Sequence, residues 1–248
     1  AALLKLLEID RERLTPAAVI ADISGSDDFA LTALANKADA IPLYVPVIGI
    51  DPVGALPANI LPYSSARGFD GLLARLNAAL RVRTLHATIE RRLNDDRTMQ
   101  VRVPQSDPLD DATVLLVGRG ASYPSLSVAL GERVAVIGSL SLEAAISHLN
   151  ARDLDGVVIG SGFSARMLDN FITTLAGDTR FRHLPVIVSG LPMEAISGQS
   201  LLANLEPAPG DATTVAATAL PFIRQHALDT RLARALKSIE SGGLLDPR

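Results

Sequence analysis

"PAAVIADISG" at 16–25 is followed by "VPVIGI" at 45–50, and "LDGVVIGSG" at 154–162 is followed by "LPVIVS" at 184–189. Val19-Ile20 in the first pair matches Val157-Val158 in the second. Pro46-Val47-Ile48 matches Pro185-Val186-Ile187 at almost the same separation. Each stretch is a short apolar run bounded by turn residues, the pattern of a strand buried on both faces of a parallel sheet. Two such strands a helix apart, repeated at a domain-sized distance, predict two copies of one α/β domain.

Working outward, residues 1–13 read as a helix, Ala17–Ile23 as a strand, Asp27–Ala38 as a helix and Leu43–Ile50 as a strand. Asn59–Leu61 reads as a short edge strand stopped by Pro62. Phe69–Leu93 is one long helical pattern with Leu72, Leu73, Leu76, Leu80, Leu85, Ile89 and Leu93 on its apolar face. In the second copy, strands are predicted at Thr113–Val117, Arg133–Ile137, Gly156–Ile159, Pro185–Ser189 and Ala203–Leu205. Helices are predicted at Ser122–Leu130, Leu142–Ala151, Ala165–Gly177, near 193–202 and at Ala212–Ile239. This alternation predicts a doubly wound, flavodoxin-like parallel sheet covered on both faces. Residues 1–93 form domain one, 94–111 a polar linker, 112–240 domain two, and 241–248 the start of a further linker. By this register domain one is expected to lack its N-terminal β-α-β part, which falls upstream of residue 1. The missing initiator Met likewise predicts a segment of a longer protein. The exposed sheet edge this leaves is expected to be covered within the fold or by another chain.

Composition excludes several function classes. The 248 residues are 48% hydrophobic, enough for packed cores, but only 4% aromatic, with no Trp. No Cys means no disulfide framework, thiolate metal site or catalytic cysteine, and the four His lack ligand spacing. A net charge of −4 gives no bulk attraction to nucleic acid or acidic lipid. No apolar run reaches the ~20 residues of a membrane span. The first ten residues, with Lys5 and Glu8, do not read as a signal peptide, so a cytoplasmic location is expected.

"DGVVIG" at 155–160 with "GDTRFRHLPVIVSG" at 177–190 strongly resembles the response-regulator receiver domain, through Asp178, Arg180, Pro185, Val186 and Ile187. The likeness covers nearly all of 112–240 and, more loosely, 1–93. In that family acids after strand one hold Mg²⁺, an Asp after strand three accepts phosphate, a hydroxyl follows strand four and a Lys follows strand five. The resemblance places Gly118-Arg119-Gly120 where the acids belong and Gly160 at the nucleophile's position. It puts Ser189 at the hydroxyl and Glu206, before Pro207, at the Lys. Reversed charge at two positions implies a degenerate receiver without Mg²⁺, since a unit charge at 4 Å counts for roughly 4 kcal/mol at an effective dielectric of 20. In the first copy Asp22 stands at the nucleophile's position, the hydroxyl falls on Ile50 or Asp51, and Leu61 precedes Pro62 at the Lys. Asp22 reads either as a phosphoacceptor or as a residue that ends a strand and caps the next turn, and Mg²⁺ there stays open.

The C-terminus adds to this. Leu228, Leu232, Ala235 and Ile239 form a coiled-coil-like stripe whose first half is expected to pack on its own sheet. "SGGLLDPR" at 241–248 resembles the opening of a GGDEF diguanylate cyclase through Asp246, Pro247 and Arg248. The resemblance implies a non-catalytic two-component signalling module in c-di-GMP signalling. It would control dimerisation and activity of a C-terminal cyclase, as a homodimer and under an upstream histidine kinase. The alternatives are an anion- or small-ligand-sensing domain, using backbone N–H groups of the Gly118–Gly120 loop with Ser189, and a nucleotide-dependent enzyme. For the latter, "VGRGASYP" at 117–124 offers a Gly-x-Gly after a strand, but Tyr123 stands where the fingerprint needs a third Gly. Ser161, Ser164 and His183 lack the nucleophile-elbow context of a hydrolase.

Overall fold

The computed structural model describes residues 15–25, 28–54, 56–95, 106–190, 202–208 and 210–241. The helices expected over 1–13 and near 193–202 and the cyclase-like residues at 246–248 lie outside them. Among the described residues strands and helices alternate, except that β3 follows β2 and β8 follows β7 directly: β1 (Val19–Asp22), α1 (Asp28–Asp39), β2 (Val47–Ile50), β3 (Ile60–Tyr63) and α2 (Gly68–Asp95) precede β4 (Thr113–Val117), α3 (Ser122–Gly131), β5 (Ala135–Ser139), α4 (Leu142–Ala151), β6 (Gly156–Ile159), α5 (Ala165–Gly177), β7 (Val186–Ser189), β8 (Leu205–Ala208) and α6 (Ala212–Glu240). They build two wholly parallel sheets, ordered β1-β2-β3 and β5-β4-β6-β7-β8, flanked by helices. The predicted α/β class and the duplication are present: β1-β2-β3 repeats β6-β7-β8, and α2 repeats α6.

β5 lies two residues beyond its expected Arg133–Ile137, and the two edge strands that carry a proline run further than expected, for one reason. β3 runs through Pro62 to Tyr63, and β8 runs through Pro207 to Ala208 instead of stopping at Leu205. Both are edge strands, where a proline's missing N–H faces away from the ladder and costs no hydrogen bond. Pro62 lies opposite Gly49 and Pro207 opposite Val188, so the two prolines occupy equivalent places. The opposite edge of the first sheet, β1, pairs only with β2 among the described residues, and Ile20 is 44% exposed there.

Because side chains alternate along a strand, each sheet splits its apolar residues between two faces. Val47 and Ile60 turn to α1, against Leu31, Leu34 and Ala38. Leu115, Val117, Val157, Ile159, Val186 and Val188 turn to α4 and α5. The remaining faces meet: Ile48, Leu61 and Tyr63 of the first sheet share one core with Val114, Leu116, Val158 and Ile187 of the second, around Ala79 of α2 and Phe222 of α6. The two copies therefore face each other across a common helical layer.

That layer continues past the sheets. Val82 and Ile89 of α2 pack on Leu232, Ala235 and Ile239 of α6, with Leu228 at the margin. Arg81 pairs with Asp229 and Arg92 with Glu240. Moving along α2 moves the partner by the same number of residues on α6, so the helices run parallel. The stripe, its first half expected to pack on its own sheet, instead packs along its whole length on α2 of the first copy. Of the expected linker, Ser106–Asp111 is docked: Arg231 donates to the Ser106 carbonyl (2.8 Å) and Asp111 (2.6 Å), and Arg224 donates to Asp107 (3.1 Å) and Asp39 (3.3 Å). Residues 96–105 lie outside the described ones.

A buried titratable cluster sits beside this helix pair. His226 of α6 is held below the ordinary imidazole value mainly by burial, against the pull of Asp155 and Asp229; Arg81 and the His183 backbone also face it. His183 and His86 are lowered by burial too. The folded chain thus refuses protons that the unfolded chain binds below about pH 6.5. Stability should be full above that value and fall as the pH drops through the folded-state values. Asp155, raised by burial, acts oppositely: its contribution is present in acid and lost as pH rises from the carboxylate range. We expect the urea midpoint to be lower at pH 5.5 than at pH 7.5, with a smaller difference in His226→Gln. An unchanged difference would exclude His226 as a contributor.

Candidate functional site

In a doubly wound sheet, ligand chemistry is placed where successive connections leave toward opposite sides of the sheet, outside the strand C-termini. In the second copy that point lies between β4 and β6, where Gly118, Arg119 and Gly160 stand. The structure brings these residues together and closes the space between them. Gly160 N–H donates to the Val117 carbonyl (2.7 Å), and Arg119 N–H to the Ser161 carbonyl (3.1 Å). The hydroxyls of Ser122 and Ser161 lie 2.8 Å apart. Gly162, in the left-handed region at φ +104°, lets the second loop lie against Arg119; a Cβ there would sit 3.0 Å from that of Arg119.

Side chains fill what remains. The Tyr123 ring lies over Gly118, and its hydroxyl occupies the space a Cβ on Gly138 would need. A Cβ on Gly160 would come within 3.3 Å of Leu126 Cδ1. Arg119 turns outward, donating to the Leu140 carbonyl (2.5 Å) with its guanidinium 5.6 Å from the Phe163 ring centre. The backbone N–H groups of Gly118, Arg119 and Gly160 are all spent on carbonyls. This loop does not present them to an anion.

Ser189 ends β7 beside β6. Glu206 does not join this cluster. It is the second residue of β8, opposite Ile187, and faces the core shared with the first copy. Its Oε2 accepts from Arg67 (2.6 Å) and Arg75 (2.7 Å), both of the first copy. Arg75 is only 1% exposed. It donates to the Pro62 carbonyl (2.7 Å) and stacks 4.4 Å from the Phe222 ring centre. Burial lowers the Arg67 pKa, opposed by Glu206. Arg75 repeats on the helical face of Leu72, Leu76 and Ala79, a cation on an apolar stripe that signals a buried partner in the sequence itself.

In the first copy Asp22 ends β1, fully exposed. Its carboxylate accepts from the Ser24 hydroxyl (2.8 Å) and N–H (3.1 Å), which hold it below the usual carboxylate value. This is the geometry of a turn cap, and it also leaves an ionised carboxylate facing solvent. Ile50 lies opposite Asp22. Asp51, at φ +51°, donates its N–H to the Tyr63 carbonyl (2.8 Å) and accepts from Ser65 N–H (2.8 Å), tying β2 to the loop after β3. Leu61 is buried in the shared core. Among the described residues no group of three or more His, Asp or Glu is placed to hold a metal ion, and no helix is long and apolar enough to cross a membrane.

No protein-family model matches the chain, and no curated protein matches it.

Proposed function

We propose that the chain is a non-catalytic signal-transduction module, cytoplasmic, in which two receiver-like copies form one body. The second copy serves as a structural adaptor that carries no phosphoryl chemistry. The observation that supports this most is the strand-end crevice between β4 and β6, filled by Tyr123 and Leu126 and bridged by its own backbone. Phosphoryl transfer depends on open, preorganised charge at such a point, and here the charged Glu206 is turned instead to the first copy. In this reading Asp22 is the residue open to a phosphodonor or an upstream histidine kinase. The long α6 leads to a C-terminal output domain of the diguanylate cyclase type. Since α2 already covers the stripe on α6 within one chain, the homodimer of this reading joins through the output domain.

The test is incubation with Mg²⁺ and acetyl phosphate, followed by peptide mass analysis. Peptides from 112–240 should show no phosphate adduct, and any adduct should map to Asp22. A stable acyl phosphate in the second copy would overturn the adaptor reading.

A further inference from the structure

The connection between α1 and β2, residues 40–46, is fastened to both long helices through one residue. Tyr44 N–H donates to His86 Nδ1 (3.1 Å), and the Tyr44 carbonyl accepts from Arg83 (2.8 Å), both partners lying on α2. The Tyr44 hydroxyl donates to Gln225 Oε1 of α6 (3.4 Å), and the residue packs at the margin of the seam formed by Val82, Ile89 and Leu232. Just before the connection, Asp39 at the end of α1 accepts from Arg224 of α6 (3.3 Å).

One of these bonds depends on a proton. An imidazole nitrogen that accepts a backbone N–H carries no hydrogen of its own, so His86 here is the neutral Nε2–H tautomer. Protonation puts a hydrogen on Nδ1 and sets two donors against each other at 3.1 Å. The ring cannot hold both the charge and the bond to Tyr44. A place for the charge is at hand, because the Glu90 carboxylate, one turn further along α2, lies 3.7 Å from Nε2 and is half exposed. The His86 side chain is itself 12% exposed, so water and its protons reach it. Burial holds the imidazole below its ordinary value, Glu90 pulls it up and Arg83 pushes it further down. The Tyr44 phenol, raised by burial and faced by Arg224 and Asp39, stays protonated throughout the range in which His86 titrates.

We propose that His86 is a proton-operated latch: neutral, it fastens residues 40–46 to α2, and protonated, it turns to Glu90 and releases them. The latch is closed above about pH 6.5 and opens as the pH falls through a midpoint below that value. Its opening loosens the entry to β2 from the helix pair while both sheets keep their ladders. The proton is then an input to the α2–α6 layer, separate from any chemistry at Asp22.

Nuclear magnetic resonance of the whole chain, titrated from about pH 7.5 to about pH 5, tests this. Nitrogen–proton correlation of the imidazoles should show His86 as the Nε2–H tautomer at the upper end, with a midpoint below about 6.5. The Tyr44 amide should shift with that same midpoint, while the amides of Leu116 and Val158 in the second sheet report that the chain stays folded. His86→Asn, which keeps an acceptor at the place of Nδ1 and takes no proton, should hold the Tyr44 amide at its neutral-pH position throughout. Glu90→Gln should lower the midpoint by about 0.2–0.4 pH unit, the weight of one exposed pair a helical turn apart. His226→Gln should leave the Tyr44 midpoint in place. The proposal is overturned by an Nδ1–H tautomer at neutral pH, by a Tyr44 amide that does not follow His86, by the same Tyr44 shift in His86→Asn, or by a chain that unfolds before His86 takes up its proton. Should His86→Asn fail to fold, the midpoints of His86 and Tyr44 in the parent and in Glu90→Gln decide. Phosphate adducts on Asp22 or their absence leave this result untouched, so the two readings fail separately.

Discussion

Glu206→Ala is expected to destabilise the chain by about 3–5 kcal/mol, the usual cost of removing one partner of a buried ion pair. The reason is what remains behind. Arg75 is 1% exposed and its guanidinium is wedged against Phe222 at 4.4 Å, with the Tyr63 ring 5.8 Å away. Without Glu206 it keeps the Pro62 carbonyl as acceptor and, among the described residues, no counter-charge. Arg67, whose side chain is 14% exposed, can swing to water, but Arg75 has no such route. Glu206→Gln keeps the shape and loses the charge, so most of the loss should persist in it. The pair is not needed for stability as such: Glu206→Leu combined with Arg75→Met should cost less than Glu206→Ala alone, because apolar residues of similar volume often replace a buried pair without loss. Urea titrations read all four proteins. A loss below about 1 kcal/mol in Glu206→Ala would mean that water already reaches Arg75 and that the pair does not tie the copies together.

This network also marks where the sequence stopped being readable. The strand–helix alternation was plain because apolar runs and helical periods are local: β6 and α5 fall where the pattern puts them. The end of β8 was not, because Pro207 reads as a stop unless the strand is known to lie at an edge, and edge position is a property of the whole sheet. That shift decided the reading of Glu206. Counted as a residue after the strand, it belongs with Gly160 and Ser189; as the second residue of β8, it faces the first copy. Gly118, Arg119 and Gly160 lie together because their strand ends meet at the switch point, which follows from strand order alone. That Tyr123 and Leu126 fill the space beside them depends on side-chain direction, which no spacing shows. A groove beneath α6 was invisible for a similar reason. Its residues come from 149–154, 180–184 and 226–237, segments adjacent only once α6 crosses the base of the sheet.

Leu232→Ala should cost about 2–5 kcal/mol, the range for a fully buried leucine whose cavity only partly collapses. Leu232 is 0% exposed and lies in the seam with Val82 and Ile89 of α2. The seam and the Glu206 network sit at different levels of the same two helices and share no side chain. Independent sites add to within about 0.3–0.5 kcal/mol, so the double variant Glu206→Ala/Leu232→Ala tests what joins the copies. If the shared core makes them one cooperative body, both single variants unfold in one transition with the slope of the parent, and their losses add. If the copies are held together by the seam and the ion pair alone, the double variant separates them. Its denaturation then splits into two transitions, the first exposing Tyr63 and the inner face of the first sheet. The common core of Ile48, Leu61 and Tyr63 with Val114, Leu116 and Phe222 predicts the single transition, because neither sheet can open without uncovering the apolar face of the other.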